Sequence, residues 1–286
     1  MNSRTLVNLL LFTFLLVSAS WFIYKKNKPI EVTRLTSLKL DEINHIRIPK
    51  NNGTDIVFNK IQPVKGDTIW EMHSPYQIEA HQFRVNTLLS LTQTPVDKLY
   101  PVSDINLADF ALDKPRANIF FNKVNISFGK SNPLNNKRYI MSEKNMALLA
   151  DQLYPLVSAQ PSTFISLKLL AENIAINSIK LPDLNITKTS ENNWQAAPGN
   201  TLNSSQIQAI ITQWKTAQAF SVHRYLQRKQ LGSIEIQTEG KKITFIISDD
   251  DPWLILARPD LNIEYHLDSS YKNKLLGLYK KGEDNA

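Results

Sequence analysis

Cysteine is absent from the 286 residues. That excludes disulfides, thiolate metal sites, a cysteine nucleophile and a lipid-modified cysteine, so any membrane attachment must come from the chain itself. Glycine is scarce, at eight residues, and none falls in a phosphate-cradling or dinucleotide pattern. The five histidines, at 45, 73, 81, 223 and 266, include no pair spaced to put two imidazoles on one helix face for zinc. A G-x-S-x-G nucleophile elbow is also missing. Acidic residues are missing from one place in particular. Residues 1–28 hold four of the 33 basic residues and none of the 26 acidic ones, leaving 29 against 26 in the remainder. The overall charge of +7 therefore belongs mostly to the N-terminus, and the rest lacks the positive field of a nucleic-acid-binding domain.

What that N-terminus does contain is Thr5 to Tyr24, TLVNLLLFTFLLVSASWFIY, with no charge in it. At about 1.5 Å per residue such a helix matches the roughly 30 Å hydrocarbon core of a bilayer. Arg4 precedes it, Lys25, Lys26 and Lys28 follow it, and Trp21 and Tyr24 stand at the end where aromatic rings favour the interface. Val17-Ser18-Ala19-Ser20 offers small residues for signal-peptide cleavage, but the apolar run continues through Trp21, Phe22 and Ile23. The reading is an uncleaved anchor, with cleavage as the rival. The flanking lysines weigh slightly against an inside N-terminus, whereas a short tail before a large domain favours it.

Beyond the anchor the chain is that of a globular protein, 42% hydrophobic and 21% charged over its full length. It reads as two copies of one unit. Ile43–Pro49 matches Ile176–Pro182, each alternating apolar and polar residues up to a proline. Strand candidates follow at Asp55–Lys60 and Leu184–Thr189, then a tryptophan shortly before a proline, Trp70 to Pro75 and Trp194 to Pro198. Amphipathic helices come next: Val85, Leu88, Leu89 and Thr92 share one face, and Ile207, Ile210, Ile211 and Trp214 repeat the spacing, with Ser204 and Ser205 as N-cap candidates. Strand pairs return at Asn118–Phe121 with Val124–Phe128, and at Ser233–Gln237 with Lys242–Ile246. Arg138–Met141 then aligns with Glu264–Leu267, each leading to a short apolar segment, Ala147–Leu153 and Lys274–Leu278.

Three clusters were weighed for chemistry. Asp249-Asp250-Asp251-Pro252 has oxygen ligands for a hard cation, but neither the alternating spacing nor the glycine of a calcium loop, so it reads as a polar turn. His223-Arg224-Tyr225 with Arg228-Lys229 interleaves basic and aromatic residues without a broad basic face and reads as solvated surface. The sequons at Asn52, Asn125, Asn185 and Asn203 read as products of an Asn- and Ser-rich composition.

The anchor, the Trp70…Pro75 motif, the helix after Ala80, Phe110-Ala111-Leu112-Asp113-Lys114-Pro115, Phe128-Gly129-Lys130 and Arg138-Tyr139-Ile140 together resemble the family called domain of unknown function 4340. That family is mostly bacterial and membrane-anchored and tends to read F-G-L-D-x-P, so Ala111 stands where it has glycine. The resemblance covers residues 5–160 well and the second copy loosely. It implies a bacterial envelope location and, by analogy with accessory proteins of ABC-type transport or gliding systems, an envelope protein partner.

The expectation is thus an α+β protein: two tandem repeats of an antiparallel sheet with packed helices, preceded by one N-terminal transmembrane helix. Residues 1–28 form the anchor, 29–165 the first repeat and 166–286 the second; whether the repeats share one sheet stays open. The chain is expected in the inner membrane through residues 5–24, with its soluble region periplasmic, as a non-enzymatic scaffold or accessory subunit. No catalytic residue, metal, cofactor or nucleic-acid contact is assigned. The alternative is a module holding a small molecule, lipid or glycan between its repeats.

Overall fold

A computed structural model of the chain describes residues 3–26, 33–63, 66–171, 174–191, 193–200 and 202–278. The first element is the helix α1, Ser3–Lys26. Its described side chains, Val7 and residues 11–22, are all exposed, Phe12, Phe14, Leu15 and Trp21 among them. The expected span Thr5–Tyr24 lies along this helix, but the side chains at both of its ends and Lys28 fall outside the described residues. Among the described residues no helix is long and apolar enough to cross a membrane. The stretch 11–22 is by itself shorter than the ~20 residues a span takes.

The first sheet is built from β1 (His45–Ile48), β2 (Ile56–Ile61), β3 (Ile69–Ser74) and β4 (Ile78–Glu79), then β5 (Tyr100–Pro101), β6 (Ala117–Phe121), β7 (Val124–Ser131), β8 (Lys137–Ser142) and β9 (Asn145–Ala150). Helix α2 (Gln82–Ser90) crosses between β4 and β5, and α3 (Tyr154–Val157) follows β9. The second sheet has β10 (Ile176–Lys180), β11 (Asn185–Lys188) and β12 (Trp194–Ala196), the crossing helix α4 (Ser204–Thr216), then β13 (Ser221–Arg224), β14 (Gly232–Thr238), β15 (Lys242–Asp249), β16 (Trp253–Arg258), β17 (Ile263–Asp268) and α5 (Tyr271–Leu276).

The duplication is visible in the strand order. The first sheet runs β4-β3-β2-β1-β6-β7-β8-β9-β5 and the second β12-β11-β10-β14-β15-β16-β17-β13. Setting aside the two-residue β4, the two orders coincide strand for strand, and the pairings are antiparallel. In each, three strands meander outward, a helix carries the chain across the sheet to its far edge, and a crossover connection brings it back to the middle.

One alignment made from sequence is corrected by this order. Arg138–Met141 lies in β8, whose counterpart is β16, whereas Glu264–Leu267 lies in β17, the counterpart of β9. Accordingly Ala147–Leu153 begins as strand β9 and Lys274–Leu278 belongs to the helical end of the chain. Strands β9 and β17 are covered on both faces and lose the alternation that marks a half-buried strand, so the hairpin slipped by one strand.

The helices pack as their spacing requires. Val85, Leu88, Leu89 and Thr92 are buried on α2 and its following turn, and Ile207, Ile210, Ile211 and Trp214 on α4. The Trp214 Nε1 donates to the Leu275 carbonyl (3.0 Å), so α5 satisfies the indole that α4 buries. The N-cap of α4 is Asn203, in place of Ser204 or Ser205: its side chain accepts from the Gln206 N–H and the Gln206 side chain accepts from the Asn203 N–H, closing a capping box.

Between the sheets, residues 164–169 run as an extended ribbon bonded on both sides. Phe164 accepts from the His81 N–H (2.7 Å) and Ser166 donates to Glu79 (3.0 Å); Leu167 then accepts from Ala219 (2.8 Å) and Leu169 donates to Ala217 (3.3 Å). The apolar side chains of both sheets belong to one continuous buried cluster.

Candidate functional site

Each sheet turns one face to its crossing helix and the other outward. The outward face is crossed by the connection between the far-edge strand and the central one, residues 102–116 in the first sheet and 225–231 in the second. These equivalent connections differ in length, fifteen residues against seven, and that difference builds the site.

In the first repeat the long connection is a cover. Phe110 packs against Tyr139 of β8 with ring centroids 4.7 Å apart, and Leu112, 2% exposed, sits over Gly129 of β7. In the second repeat the short connection reaches only part of the face. It is tied down by Glu264 of β17, whose side chain is fully buried: the carboxylate accepts from the Leu226 N–H (3.1 Å), Arg228 Nη1 (2.7 Å) and His266 Nε2 (2.9 Å). Burial alone would raise this carboxyl, but the donors from Arg228, His266 and Leu226 outweigh it and hold the pKa below the ordinary glutamate value.

Beyond the reach of that connection an aromatic patch stays open. Phe220, just before β13, and Trp253, at the start of β16, meet edge to face at 5.6 Å and are 51% and 48% exposed. His266 stands between them, its ring centroid 6.2 Å from Phe220 and 6.4 Å from Trp253. His223 packs on His266 at 4.7 Å, and its Nε2 lies 3.0 Å from the Ser221 hydroxyl. Desolvation first, then the neighbouring His266 ring, hold His223 below the ordinary imidazole value. A ledge of aromatic faces rimmed by imidazole and hydroxyl groups is a surface for apolar contact with polar orientation.

The other weighed residues serve local structure. Asp249 Oδ1 accepts from the Asp250 N–H (2.9 Å) and Asp250 pairs with Lys272 (2.6 Å), a polar turn closing onto α5. Among the described residues no group of three His, Asp or Glu side chains is gathered to hold a metal ion. His45 lies 2.7 Å from Asn59, His73 3.8 Å from Glu71, and His81 ends the loop into α2. In the basic–aromatic stretch, Arg228 is pinned on Glu264 instead of standing in solvent. Of the sequon asparagines, Asn203 caps α4 and Asn125 lies in β7, bonded to Ser127 and Asn118.

Sequence reasoning missed the pairing of His223 with His266 and the burial of Glu264, because neighbours on adjacent strands carry no fixed sequence spacing. The length difference between the two connections was available, but only once the strand order gave the correct alignment. The junction between the repeats, where a ligand was considered, is filled: Phe164, Ile165, Leu169 and Leu170 are at most 3% exposed, and Phe164 meets Phe58 at 5.4 Å.

The sequence model of a family described as domain of unknown function (DUF4340) matches residues 70–237. Neither among curated proteins nor among solved structures does a match to this chain occur.

Proposed function

The chain belongs to the DUF4340 family, and from that premise we propose that it is a membrane-anchored, non-enzymatic accessory protein that docks another envelope protein on the outward face of its second sheet. The observation that carries the reading is the uncovered Phe220–Trp253 pair, at a place where the first repeat closes the same face with Phe110 and Leu112. Duplicated units that differ mainly in one covering connection use one copy for architecture and leave the other free for contact. Exposed aromatic residues beside a polar rim have the composition of an interface core.

The anchor is α1. Its exposed apolar side chains are covered by no other part of the fold, and an uncharged stretch from Thr5 to Tyr24 matches a bilayer core. The N-terminus is assigned to the cytoplasm and the two-sheet body to the periplasm, since a short tail preceding a large domain is the layout of a signal anchor. A component of an ABC-type transport system fits as partner on the resemblance alone. The alternative of a ligand held between the repeats has the filled junction against it.

The test is cross-linking in intact membranes of the native host, followed by mild detergent extraction and mass spectrometry. The proposal requires one envelope protein recovered in stoichiometric amount with the natural chain and lost with Trp253→Ser. Equal recovery with both chains would remove the second sheet as the docking face.

A further inference from the structure

A separate feature lies in the first repeat, on the inward side of the end of β1. There Pro49–Asn51, the start of β6 and the end of α3 enclose a cavity of about 160 Å³. Two cations line it, Lys50 and Arg116, together with the polar side chains of Asn51, Asn118 and Ser158, and no carboxylate does.

The charges of those cations are uncompensated. Lys50 Nζ donates to the carbonyls of Val157 (3.0 Å) and Ala159 (2.7 Å), which uses two of its three N–H groups and leaves one. Asp55, adjacent to the Lys50 backbone, is already engaged by Arg47 Nη1 (3.0 Å) and by the Lys50 N–H (3.2 Å). Half-burial lowers the Lys50 pKa, the mark of an ammonium without a counter-ion. Arg116 is exposed, and among the described residues its guanidinium has no hydrogen bond or ion pair. Asn118 Oδ1 accepts from Ser127 Oγ (2.8 Å) and Asn125 Nδ2 (3.4 Å), so its own amide nitrogen remains as a donor. Capping of the α3 carbonyls accounts for two N–H groups of Lys50 and for nothing at Arg116 or Asn118.

We propose that this cavity is a binding site for a phosphate-class oxyanion, held by Lys50, Arg116 and Asn118. Charge-assisted hydrogen bonds from an ammonium and a guanidinium suit a tetrahedral oxyanion, and the planar guanidinium can grip two oxygens at once. The volume sets the size of the ligand. It holds the equivalent of about five waters at ~30 Å³ each, well under the roughly 300 Å³ of a drug-sized pocket. Either a free phosphate or the phosphate head of a larger molecule fits, with the remainder outside the cavity.

Equilibrium binding of radiolabelled inorganic phosphate to the full chain in detergent, at ionic strength fixed with chloride, reads the site directly. Saturable binding in the millimolar range or tighter is expected, weakened at least about tenfold by Arg116→Gln, whose side chain supports no fold contact. Lys50→Met is expected to do the same, with hydrogen exchange of residues 154–159 reporting whether α3 stays folded. Displacement of the label by nanodiscs containing phosphatidate, but not by phosphatidylcholine alone, identifies a lipid headgroup as the ligand; displacement by neither leaves a soluble phosphate ester. Absence of saturable binding, or unchanged binding in Arg116→Gln, overturns the proposal.

Discussion

The carbonyl oxygen of Phe110 sits directly against the α-carbon of Gly129, so that a β-carbon at position 129 would collide with it and press on the Leu112 side chain. Two short motifs, Phe110–Pro115 and Phe128–Lys130, are therefore two sides of one contact, the one that seats the long connection on the first sheet. Gly129→Ala is expected to lower unfolding stability by about 1–3 kcal/mol, through overpacking against backbone that cannot yield. Denaturant midpoints measure this, and an unchanged midpoint would mean that the connection does not sit where it is described.

Ala111, in the same motif, adopts a left-handed backbone with φ of 53° at the end of a 3-10 turn. A β-carbon in that region costs ~1–2 kcal/mol, partly offset by the extra entropy a glycine loses on folding. Ala111→Gly should thus stabilise the protein by up to about 1 kcal/mol. A loss of stability would show that the turn is held by something other than its local conformation.

Glu264 and His223 set the direction of pH dependence. Both have folded-state pKa values held below their ordinary ones. The unfolded chain therefore binds more protons, and both groups contribute stability that is present at neutral pH and lost in acid. His223 loses its share as pH falls below the usual imidazole value, Glu264 its share as pH falls below the usual glutamate value. Thermal melts across that range should show two declines, the first absent in His223→Gln. A melting midpoint independent of pH would contradict the assignment.

Arg228→Met leaves the buried Glu264 carboxylate with one fewer donor, at a cost of about 1–3 kcal/mol. More specific is the expected local effect: faster hydrogen exchange at the Leu226 amide, which donates to the same carboxylate. Global destabilisation with Leu226 still protected would separate the connection from its supposed tether.

The lack of cysteine makes topology testable with one substitution. Leu134, 90% exposed at a hairpin tip, becomes the single labelling site in Leu134→Cys. A membrane-impermeant maleimide should label it in intact spheroplasts without permeabilisation; labelling only after lysis would reverse the orientation.

Much of the fold was legible from residue spacing alone. The helix faces Val85-Leu88-Leu89 and Ile207-Ile210-Ile211-Trp214 follow the helical period, and each is buried as that period demands. The early hairpins alternate cleanly because one face is wet. Where both faces are covered, as along β9 and β17, alternation vanishes and the alignment of the copies slipped by one strand. The candidate site was hidden for a related reason: Glu264, His266, His223 and Trp253 come from three strands whose neighbour relations depend on a crossover that periodicity does not encode. Asn203 was passed over as the α4 cap because two serines follow it, although the Gln206 that completes the box was in view.

The most direct test places a photo-reactive amino acid at position 253 in the second sheet and, separately, at position 139, which Phe110 covers in the first, with cross-linking in living cells of the native host. The account predicts that position 253 forms one discrete adduct with an envelope protein while position 139 forms none. Adducts of equal yield at both positions, or none at 253, would contradict the claim that the second repeat carries the exposed docking face.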